Sequence, residues 1–318
     1  MNYKKIGLII TIILIGITAL MITRKEQPSS SGIAIGIIQT ATHPALDEAR
    51  DSFIKLLQSK LGSGVRFVTY NAEGSIAHAH AIAQRLSLRN DIKAFYAIAT
   101  PAAQAIAALE KERPIIIAAV TDPTILGVQT NICGVHDMID MHKEIVMLHQ
   151  LLPNAKTVAF LYNNAETNSL CQVQRMKDEL NALGIASIDI GIAQETDIPM
   201  AVALACRKAD VILSPTDNMI ASAMELVTSI ALSHKKPVIA CHNEAVKQGA
   251  LAACGVDYKE CGKQAGEIAY AFIMEGKKAE KLPIGCPKTD TAYINKKNLE
   301  LLNISIPETL QKDVVLIA

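Results

Sequence analysis

Apolar runs alternate with helical segments along nearly the whole chain after residue 32. Ten runs rich in Ile, Val, Leu and Ala, each bounded by turn residues, are typical of buried parallel strands. This alternation predicts an α/β fold with two open parallel sheets and helices on both faces of each sheet. The predicted strands cover residues 33–39, 65–70, 94–99, 114–120, 157–162, 187–192, 211–214, 237–240, 250–256 and 289–294.

Polar residues recur where the predicted strands give way to helices, in both halves of the chain. Ligands of open α/β sheets bind at this edge, outside the carboxyl ends of the strands. We therefore expect two lobes whose strand ends face each other across one cleft. The polar strand ends are Thr40, Thr100, Pro101, Thr121 and Asp122 in the first half, and Tyr162, Asn163, Thr216, Asp217, His242 and Asn243 in the second.

The composition excludes several classes of protein. The chain has 318 residues with 31 basic and 31 acidic side chains, and this zero net charge argues against nucleic acid as a partner. An apolar content of 50% indicates a folded chain, and its length favours two domains over one. Seven cysteines without a C-x-x-C spacing predict core thiols, with neither a disulfide framework nor a metal site.

The first 31 residues form a segment of their own. Residues 6–23 carry no charge and are flanked by basic residues, a pattern that the secretory machinery reads. Their length also just reaches that of a membrane-spanning helix. The segment is therefore either a cleaved signal peptide or an uncleaved anchor, followed by a polar linker. We expect the remainder in the periplasm or at the outer face of the cytoplasmic membrane, tethered by residues 6–23 if they are not cleaved.

Motifs of common enzymes do not occur in the sequence. A G-x-S-x-G elbow, an H-E-x-x-H pair, a Walker A loop and a G-x-G-x-x-G turn are all missing. The sequence therefore predicts neither an enzyme nor a cofactor.

Three strand ends carry residues that are common at the start of a helix. They are residues 40–44, 99–104 and 214–218. Thr100 can cap a helix in which Pro101 takes the first turn. The free amide groups beyond such a cap, with the positive end of the helix dipole, favour a carboxylate. The three ends are either ordinary caps or parts of one binding site.

Two acidic residues end apolar runs and are candidates for binding a cation. A buried, unpaired carboxylate at Asp122 or Asp257 would cost several kcal/mol unless a cation or hydrogen-bond donors satisfied it. The ammonium group of a ligand could be that cation, and a turn or cap role is the alternative for both residues. His43, beside Pro44, either faces the cleft or lies in a surface loop.

Several segments resemble the substrate-binding proteins of one bacterial ABC importer family. The resemblance runs in order from residue 33 to about residue 306. It implies the type I periplasmic-binding-protein fold, in which two Rossmann-like lobes are joined by a three-crossover hinge. Members with an assigned ligand are associated with tryptophan and other aromatic amino acids. The matching segments are IIQTATHPALD (37–47), IATPAAQ (98–104), AVTDP (119–123), LLPNAKT (151–157), PTDN (215–218), GALA (249–252) and GVDY (255–258).

The resemblance also implies a division into lobes and a role for each site residue. Residues 32–137 and 257–282 would form the first lobe, and residues 138–256 and 283–318 the second. Thr100 and the amides after it would hold a carboxylate, and Asp257, with Asp122, an ammonium group. The ligand-binding residues expected on this basis are Thr40, Thr42, His43, Thr100, Pro101, Ala102, Thr121, Asp122, Tyr162, Asn163, Thr216, Asp217, Asn218, Asn243 and Asp257.

The function implied is that of a solute receptor. A monomer would capture a small amino-acid-like ligand, hydrophobic or aromatic, and deliver it to an ABC permease driven by a separate ATPase subunit. The alternative is a membrane-tethered sensor domain of the same fold. Only five residues precede the apolar segment, which leaves little room for a cytoplasmic signalling part and favours the receptor.

Overall fold

Two β-sheets of mostly parallel strands carry the fold. The computed structural model describes residues 32–282, 284–287, 291–311 and 314–317, so the apolar segment at residues 6–23 lies outside the described part. The described strands are β1 (Ile33–Gln39), β2 (Val65–Asn71), β3 (Ile92–Ile98), β4 (Ile115–Val120), β5 (Ile132–His136), β6 (Thr157–Asn163), β7 (Ala186–Ile192), β8 (Val211–Ser214), β9 (Val238–His242), β10 (Ala252–Val256), β11 (Ile284–Gly285), β12 (Ala292–Asn295) and β13 (Val314–Ile317).

Helices follow most strands, as the alternating pattern predicts. In the part of the chain that the structure describes, four short 3₁₀ helices lie among the connections: Gly62–Gly64, Pro123–Leu126, Glu195–Asp197 and Ala279–Lys281. The described α-helices are α1 (Pro44–Leu61), α2 (Ile76–Ser87), α3 (Thr100–Leu109), α4 (Met141–Leu151), α5 (Thr167–Ala182), α6 (Ile198–Lys208), α7 (Asn218–Ser222), α8 (Met224–Ser233), α9 (Glu244–Lys247), α10 (Tyr258–Glu275) and α11 (Lys296–Leu302).

Each sheet defines one lobe. The first sheet has the strand order β11-β5-β4-β3-β1-β2, and the second has the order β13-β12-β10-β9-β8-β6-β7. The strands pair in parallel, for example Ile35 with Phe67 across β1 and β2, except that β10 and β12 run antiparallel. The predicted α/β fold with two lobes is therefore confirmed. Strands β5, β11 and β13 were not predicted from the sequence.

The chain passes between the two sheets three times. It leaves the first sheet after β5, returns to it after β10, and leaves again after β11. Helix α10 packs on α1 in the first lobe, so closely that a Cβ at Gly262 would lie 2.2 Å from the carbonyl oxygen of Ala49. Because β11 pairs with β5, the third passage follows residue 285, slightly later than the lobe boundary predicted at residues 282 and 283.

The core consists almost entirely of aliphatic side chains on both faces of the sheets. Most residues of β1, β3, β4, β6 and β9 are fully buried, as expected for parallel strands covered by helices. Five of the seven cysteines are buried. Within the described ranges, none of the helices combines the length and apolar character that spanning a bilayer requires.

Candidate functional site

The carboxyl ends of the two sheets face each other and enclose a small cavity. Larger grooves open on the outer surface, for example at residues 150–155 with 302–307. The cleft cavity differs from this groove because buried polar atoms of both lobes converge on it. It is lined by His43, Leu46, Ala99, Ala119 and Thr121 from the first lobe, Asp137 and Tyr258 from the passages between lobes, and Asn168, Thr216, Asp217, Asn218, Ala221 and His242 from the second lobe.

The start of α3 is capped from another strand rather than by its own residues. Ala99 is the N-cap of this helix, so the prediction that Thr100 caps it is wrong. The hydroxyl of Thr40, after β1, instead accepts from the Ala102 amide at 3.1 Å and donates to the Ile98 carbonyl at 2.9 Å. The Thr100 hydroxyl, which is buried, has no hydrogen-bond partner among the described residues. Thr40 thus joins two strand ends, and Thr100 keeps a free hydroxyl beside the cavity.

Strained backbone lines the first-lobe side of the cavity. Ala99 has φ 73° and ψ 161°, a region that only glycine adopts readily, and Ala119 has φ 57°. Ala99 directly follows β3, and Ala119 is the second-last residue of the neighbouring strand β4. Such strain costs on the order of 1–3 kcal/mol and is concentrated at functional sites in folded proteins. Its position at two cavity-lining residues therefore supports a binding role for this strand edge.

Asp137 and Tyr258 connect the first two passages between the lobes. The Tyr258 hydroxyl donates to Oδ2 of Asp137 at 2.7 Å, and both residues are buried. Oδ1 of Asp137 has no hydrogen-bond partner in the described part of the chain, although Thr121 lies close enough to lower the pKa of this carboxyl. Burial outweighs these contacts and raises the pKa of Asp137. A buried carboxylate oxygen is therefore available at the hinge.

Glu166 fixes the second-lobe wall of the cavity. This wall consists of Asn168, Thr216, Asp217, Asn218, Ala221 and His242. Glu166 precedes α5 but does not cap that helix; its carboxylate accepts instead from the amides of Asn218 and Met219 at the start of α7, at 3.1–3.2 Å. The side-chain amides of Asn168 and Asn218 also donate to it. Burial, together with the nearby Asp217, raises the pKa of Glu166 to about 7. Its donors fix the position of α7 against α5.

Asp217 supplies a second buried anchor for the same wall. It caps α7 and also accepts from the Asn163 amide and the Ser169 hydroxyl, both at 2.7 Å. Burial raises the pKa of Asp217, whereas its donors lower it. The side chain of Gln172 binds Thr216 with two further hydrogen bonds of 2.7 and 3.0 Å. The hydrogen bonds of Asp217 and Gln172 therefore fix the loop before α7.

Two buried histidines face the cavity from opposite lobes. His43 precedes α1, and His242 ends β9 in the second lobe; their ring centroids lie 6.3 Å apart. Nε2 of His43 lies 3.4 Å from Oδ1 of Asn218, which makes a direct contact between lobes. Burial lowers the pKa of His43 to about 4 and that of His242 to about 3. Both rings are therefore neutral at physiological pH.

Several polar side-chain atoms that line the cavity have no hydrogen-bond partner among the described residues. In the described residues, five buried side-chain atoms of the lining make no hydrogen bond: Nδ1 of His43, Oγ1 of Thr121, Oδ1 of Asp137, Oδ1 of Asn168 and Nε2 of His242. Buried polar groups are normally satisfied, so a cluster of unsatisfied ones marks a binding site. Groups of His, Cys, Asp and Glu suited to a metal ion do not occur in the described ranges. The arrangement suits a small polar organic ligand.

The structure brings together only part of the predicted site. His43, Thr121, Thr216, Asp217 and Asn218 line the cavity. Asp257 is exposed and caps α10 through the Glu260 amide, which is the structural alternative considered for it. The other predicted residues lie outside the lining: Thr40 and Asn243 as hydrogen-bond links, Thr42 exposed beside Glu73, Thr100, Pro101 and Ala102 at the start of α3, Asp122 as the cap of a 3₁₀ helix, and Tyr162 and Asn163 at the end of β6.

The sequence-based expectation missed Asp137, Asn168, His242 and Tyr258. Asp137 directly follows β5, a strand that was not predicted, so its position at a strand end was not recognised. His242 is one of the polar strand ends of the sequence, but only its neighbour Asn243 was among the expected ligand-binding residues; β9 extends two residues beyond the predicted strand and ends at His242. Asp257 was expected in the site, but its neighbour Tyr258 lines the cavity instead. At the start of α10, Asp257 is exposed and Tyr258 is buried.

A second contact between lobes lies at the outer edge of the cleft. Arg175 of α5 approaches Asp122 of the first lobe to 3.6 Å, and the Arg175 side chain is about half exposed. Asp122 is also tied to Thr124 through its Oδ1 atom. This ion pair and the contact between His43 and Asn218 show that the lobes are closed on one another.

Comparison with known proteins assigns the class. The model of the ABC transporter substrate binding protein family matches residues 34–315, so the chain belongs to this family. Members of the family bind small solutes outside the cytoplasm and work with an ABC permease. The resemblance noted in the sequence and the type I periplasmic-binding-protein fold are thereby confirmed.

Three proteins illustrate the similarity of this chain to other substrate-binding proteins. A tyrosine-binding protein of Clostridioides difficile is 34% identical over 291 residues, which cover 88% of this chain and 84% of that protein. An ABC domain from Streptococcus pneumoniae in complex with L-Trp has a TM-score of 0.84 and 30% identity, covering 91% of this chain and 100% of that one. The ligand-free, open structure of a Clostridium difficile substrate binding protein with adhesive properties has a TM-score of 0.65 and 31% identity, covering 89% and 98%.

Proposed function

We propose that this chain is the solute-binding component of an ABC importer and that its ligand is an amino acid held in the cleft cavity. The single observation that carries this proposal is the cluster of unpartnered polar atoms in a buried cavity between the lobes. The lining combines polar atoms of both lobes with apolar residues such as Leu46 and Ala221, as is typical of pockets that bind small molecules. The two relatives whose names mention tyrosine and L-Trp support the same class of ligand.

Asp137 is the partner that we propose for the ligand's ammonium group. Its Oδ1 atom is buried and unpartnered among the described residues, whereas Oδ2 is fixed by Tyr258. An ionised carboxylate in such a place is costly without a cation, and an ammonium group supplies both the charge and three donors. Asp137 takes this role in place of Asp257, because Asp257 is exposed and already caps α10.

The start of α3 is the place that we propose for the ligand's carboxylate. The strained Ala99 lines the cavity, and the free Thr100 hydroxyl follows it at the first residue of the helix. The positive end of the helix dipole favours a negative group there. A zwitterion therefore finds complementary charges at the first lobe and at the hinge.

Closure around the hinge would couple binding to delivery. This chain matches the L-Trp complex with a TM-score of 0.84 and the open, ligand-free relative with only 0.65. Asp137 and Tyr258 lie on two of the three passages between lobes, so a ligand bound to Asp137 would act directly on the hinge. The closed protein, acting as a monomer, would then present the amino acid to a permease driven by a separate ATPase.

Calorimetric titration of the purified protein with the twenty L-amino acids tests the proposal. At least one of them should bind with an affinity in the micromolar range or tighter. A chain that binds sugars or metal ions but no amino acid would contradict the proposed ligand and leave the family assignment intact.

Residues 6–23 are proposed to direct the rest of the chain across the membrane. The support is the uncharged run with its flanking basic residues and the extracytoplasmic location of the family. A reporter that is active only outside the cytoplasm, fused to the C-terminus, should be active. A silent reporter on a protein found in the cytoplasm would contradict the proposed location.

A further inference from the structure

We infer that the ligand's side chain carries a hydroxyl group, to which His242 donates one hydrogen bond and from which His43 accepts another. This inference rests on the proposed function, because it concerns the side chain of an amino acid bound in the cleft cavity. It follows from the placement of the proton on each ring and from the position of the two histidines on opposite sides of the cavity.

The proton of His242 lies on the nitrogen that faces the cavity. Nδ1 of His242 accepts a hydrogen bond from the Ala245 amide at 3.2 Å, so this nitrogen carries no proton. In a neutral ring the proton is then on Nε2. Nε2 is buried and has no hydrogen-bond partner within the part of the chain described, and His242 lines the cavity. His242 therefore presents a free N–H donor.

The proton of His43 lies on the opposite nitrogen. The Asn218 side-chain nitrogen donates to Glu166, whose carboxylate also accepts two backbone amides, so the Asn218 oxygen points towards His43. Nε2 of His43, 3.4 Å from that oxygen, is then the protonated nitrogen. Nδ1 carries a lone pair and has no partner in the described segments. His43 therefore presents a free acceptor.

A free donor and a free acceptor on facing rings select for one kind of chemical group. A carboxylate only accepts and would meet the lone pairs of His43 and Asn168, while an ammonium group only donates and would leave the His242 N–H unsatisfied. An apolar side chain would leave both rings unsatisfied, which is costly in a buried cavity. A hydroxyl both donates and accepts through one atom, and the two rings, with centroids 6.3 Å apart, line the same cavity.

Apolar residues make up the rest of the cavity lining. Leu46, Ala99, Ala119 and Ala221 surround the cavity between the polar atoms. They can pack against the carbon atoms of a ring or a short chain that carries the hydroxyl. The histidines thus act as residues that determine specificity, separately from the groups proposed for the zwitterion.

Ligand pairs that differ by the hydroxyl test the inference on the unmodified protein. Calorimetry should show that tyrosine binds about 10–100-fold more tightly than phenylalanine, and that threonine, if it binds, exceeds valine by a similar factor. Equal affinities for tyrosine and phenylalanine would overturn the inference while leaving the proposed function intact, as would tighter binding of glutamine than of tyrosine. Failure of all twenty amino acids to bind would overturn the proposed function itself.

Substitution of each histidine in turn provides a second test of the inference. His242→Asn keeps an oxygen that can accept from the Ala245 amide but withdraws the donor from the cavity. We expect this variant to lose most of the preference for tyrosine over phenylalanine while its affinity for phenylalanine changes less than about threefold. His43→Phe, which removes the acceptor instead, should lose the same preference. An undiminished preference in both folded variants would overturn the assignment of the two rings.

Discussion

Strained backbone forms the first-lobe wall of the cleft, whereas buried carboxylates and their donors form much of the second-lobe wall. Ala99 has a conformation that only glycine adopts readily, and the hydroxyl of Thr121 beside it is unpartnered among the described residues. Glu166 and Asp217, by contrast, each accept hydrogen bonds from at least three donors. The hydrogen bonds of Glu166 and Asp217 therefore fix the start of α7 before binding, while His43, Thr121 and Asp137 of the first lobe and hinge offer most of the free groups to the ligand.

The largest expected effect on folding lies in the second-lobe wall. Asp217→Ala removes the acceptor of the Asn163 amide, the Ser169 hydroxyl and the Ile220 amide. Buried donors left without a partner cost about 1–3 kcal/mol each, so we expect the free energy of unfolding to fall by about 3–5 kcal/mol. Urea unfolding without ligand measures this change.

Asp257→Ala is the matched control for that variant. Asp257 also caps a helix after a strand, but it is exposed, and within the described ranges its side chain accepts from the Glu260 amide alone. Loss of such a cap costs about 1 kcal/mol. Equal losses in the two variants would contradict the view that the second-lobe wall is held by a buried network.

A buried carboxyl in the second lobe should make stability depend on pH. Glu144 is fully buried, and its carboxyl accepts a hydrogen bond from the Cys254 amide at 2.9 Å; burial raises its pKa from 4.5 to about 8. Between these values the unfolded chain has released the proton and the folded chain still holds it. Stability contributed by this group is therefore present below about pH 4.5 and is lost as pH rises towards 8.

Glu144→Gln removes this dependence while keeping the shape of the side chain. We expect the free energy of unfolding of the wild type, relative to this variant, to fall by about 2 kcal/mol between pH 6 and pH 7.5. Parallel unfolding curves at both pH values measure the difference. A difference that stays constant, or that favours the wild type as pH rises, would show that Glu144 is ionised in the folded protein.

Relief of strain in the first-lobe wall should stabilise the protein. Ala99→Gly removes a cost on the order of 1–3 kcal/mol, partly offset by the greater freedom of glycine in the unfolded chain. We expect a net gain of about 1 kcal/mol in the free energy of unfolding. Ala97→Gly, in the ordinary strand geometry of β3, should instead lose about 1 kcal/mol. Loss of stability in both variants would remove the argument for strain.

The ion pair at the edge of the cleft should have the smallest effect. Arg175 and Asp122 are 3.6 Å apart, and the arginine is about half exposed, so their attraction is screened by water and salt. Arg175→Gln should weaken ligand binding by less than about 1 kcal/mol at low salt and have no effect at high salt. Asp122→Asn should behave similarly in calorimetric titrations. A larger loss that persists in salt would place this pair in the binding site.

The sequence predicts the alternation of strands and helices well because both faces of each sheet are buried. Continuous apolar runs such as residues 115–120 are visible without any knowledge of their neighbours. Strand β5 was missed because five residues with a glycine and a histidine give a weak pattern, and its pairing with β4 supplies the rest. Because β5 was not predicted, Asp137, the residue that follows it, was not recognised as a strand end.

The candidate site was predictable in position but not in detail. The rule that ligands meet the carboxyl ends of strands correctly selected the regions around His43, Thr121 and Asn218. It could not show that the Thr40 hydroxyl caps α3 from a distance, because that contact joins residues 62 positions apart in the chain. Nor could it decide between Asp257 and Tyr258, since one residue along the start of a helix changes a side chain from exposed to buried.

The affinity of Asp137→Asn for the amino acid that binds best tests the central claim most directly. Removal of the charge should weaken binding by about 2–5 kcal/mol, because the ligand's ammonium group loses a buried partner. Stability without ligand should change little, since the side-chain oxygen of the introduced asparagine can still accept from the Tyr258 hydroxyl. Asp257→Asn should bind as the wild type does. Normal binding by Asp137→Asn together with a large loss in Asp257→Asn would contradict the account and restore Asp257 as the ammonium partner.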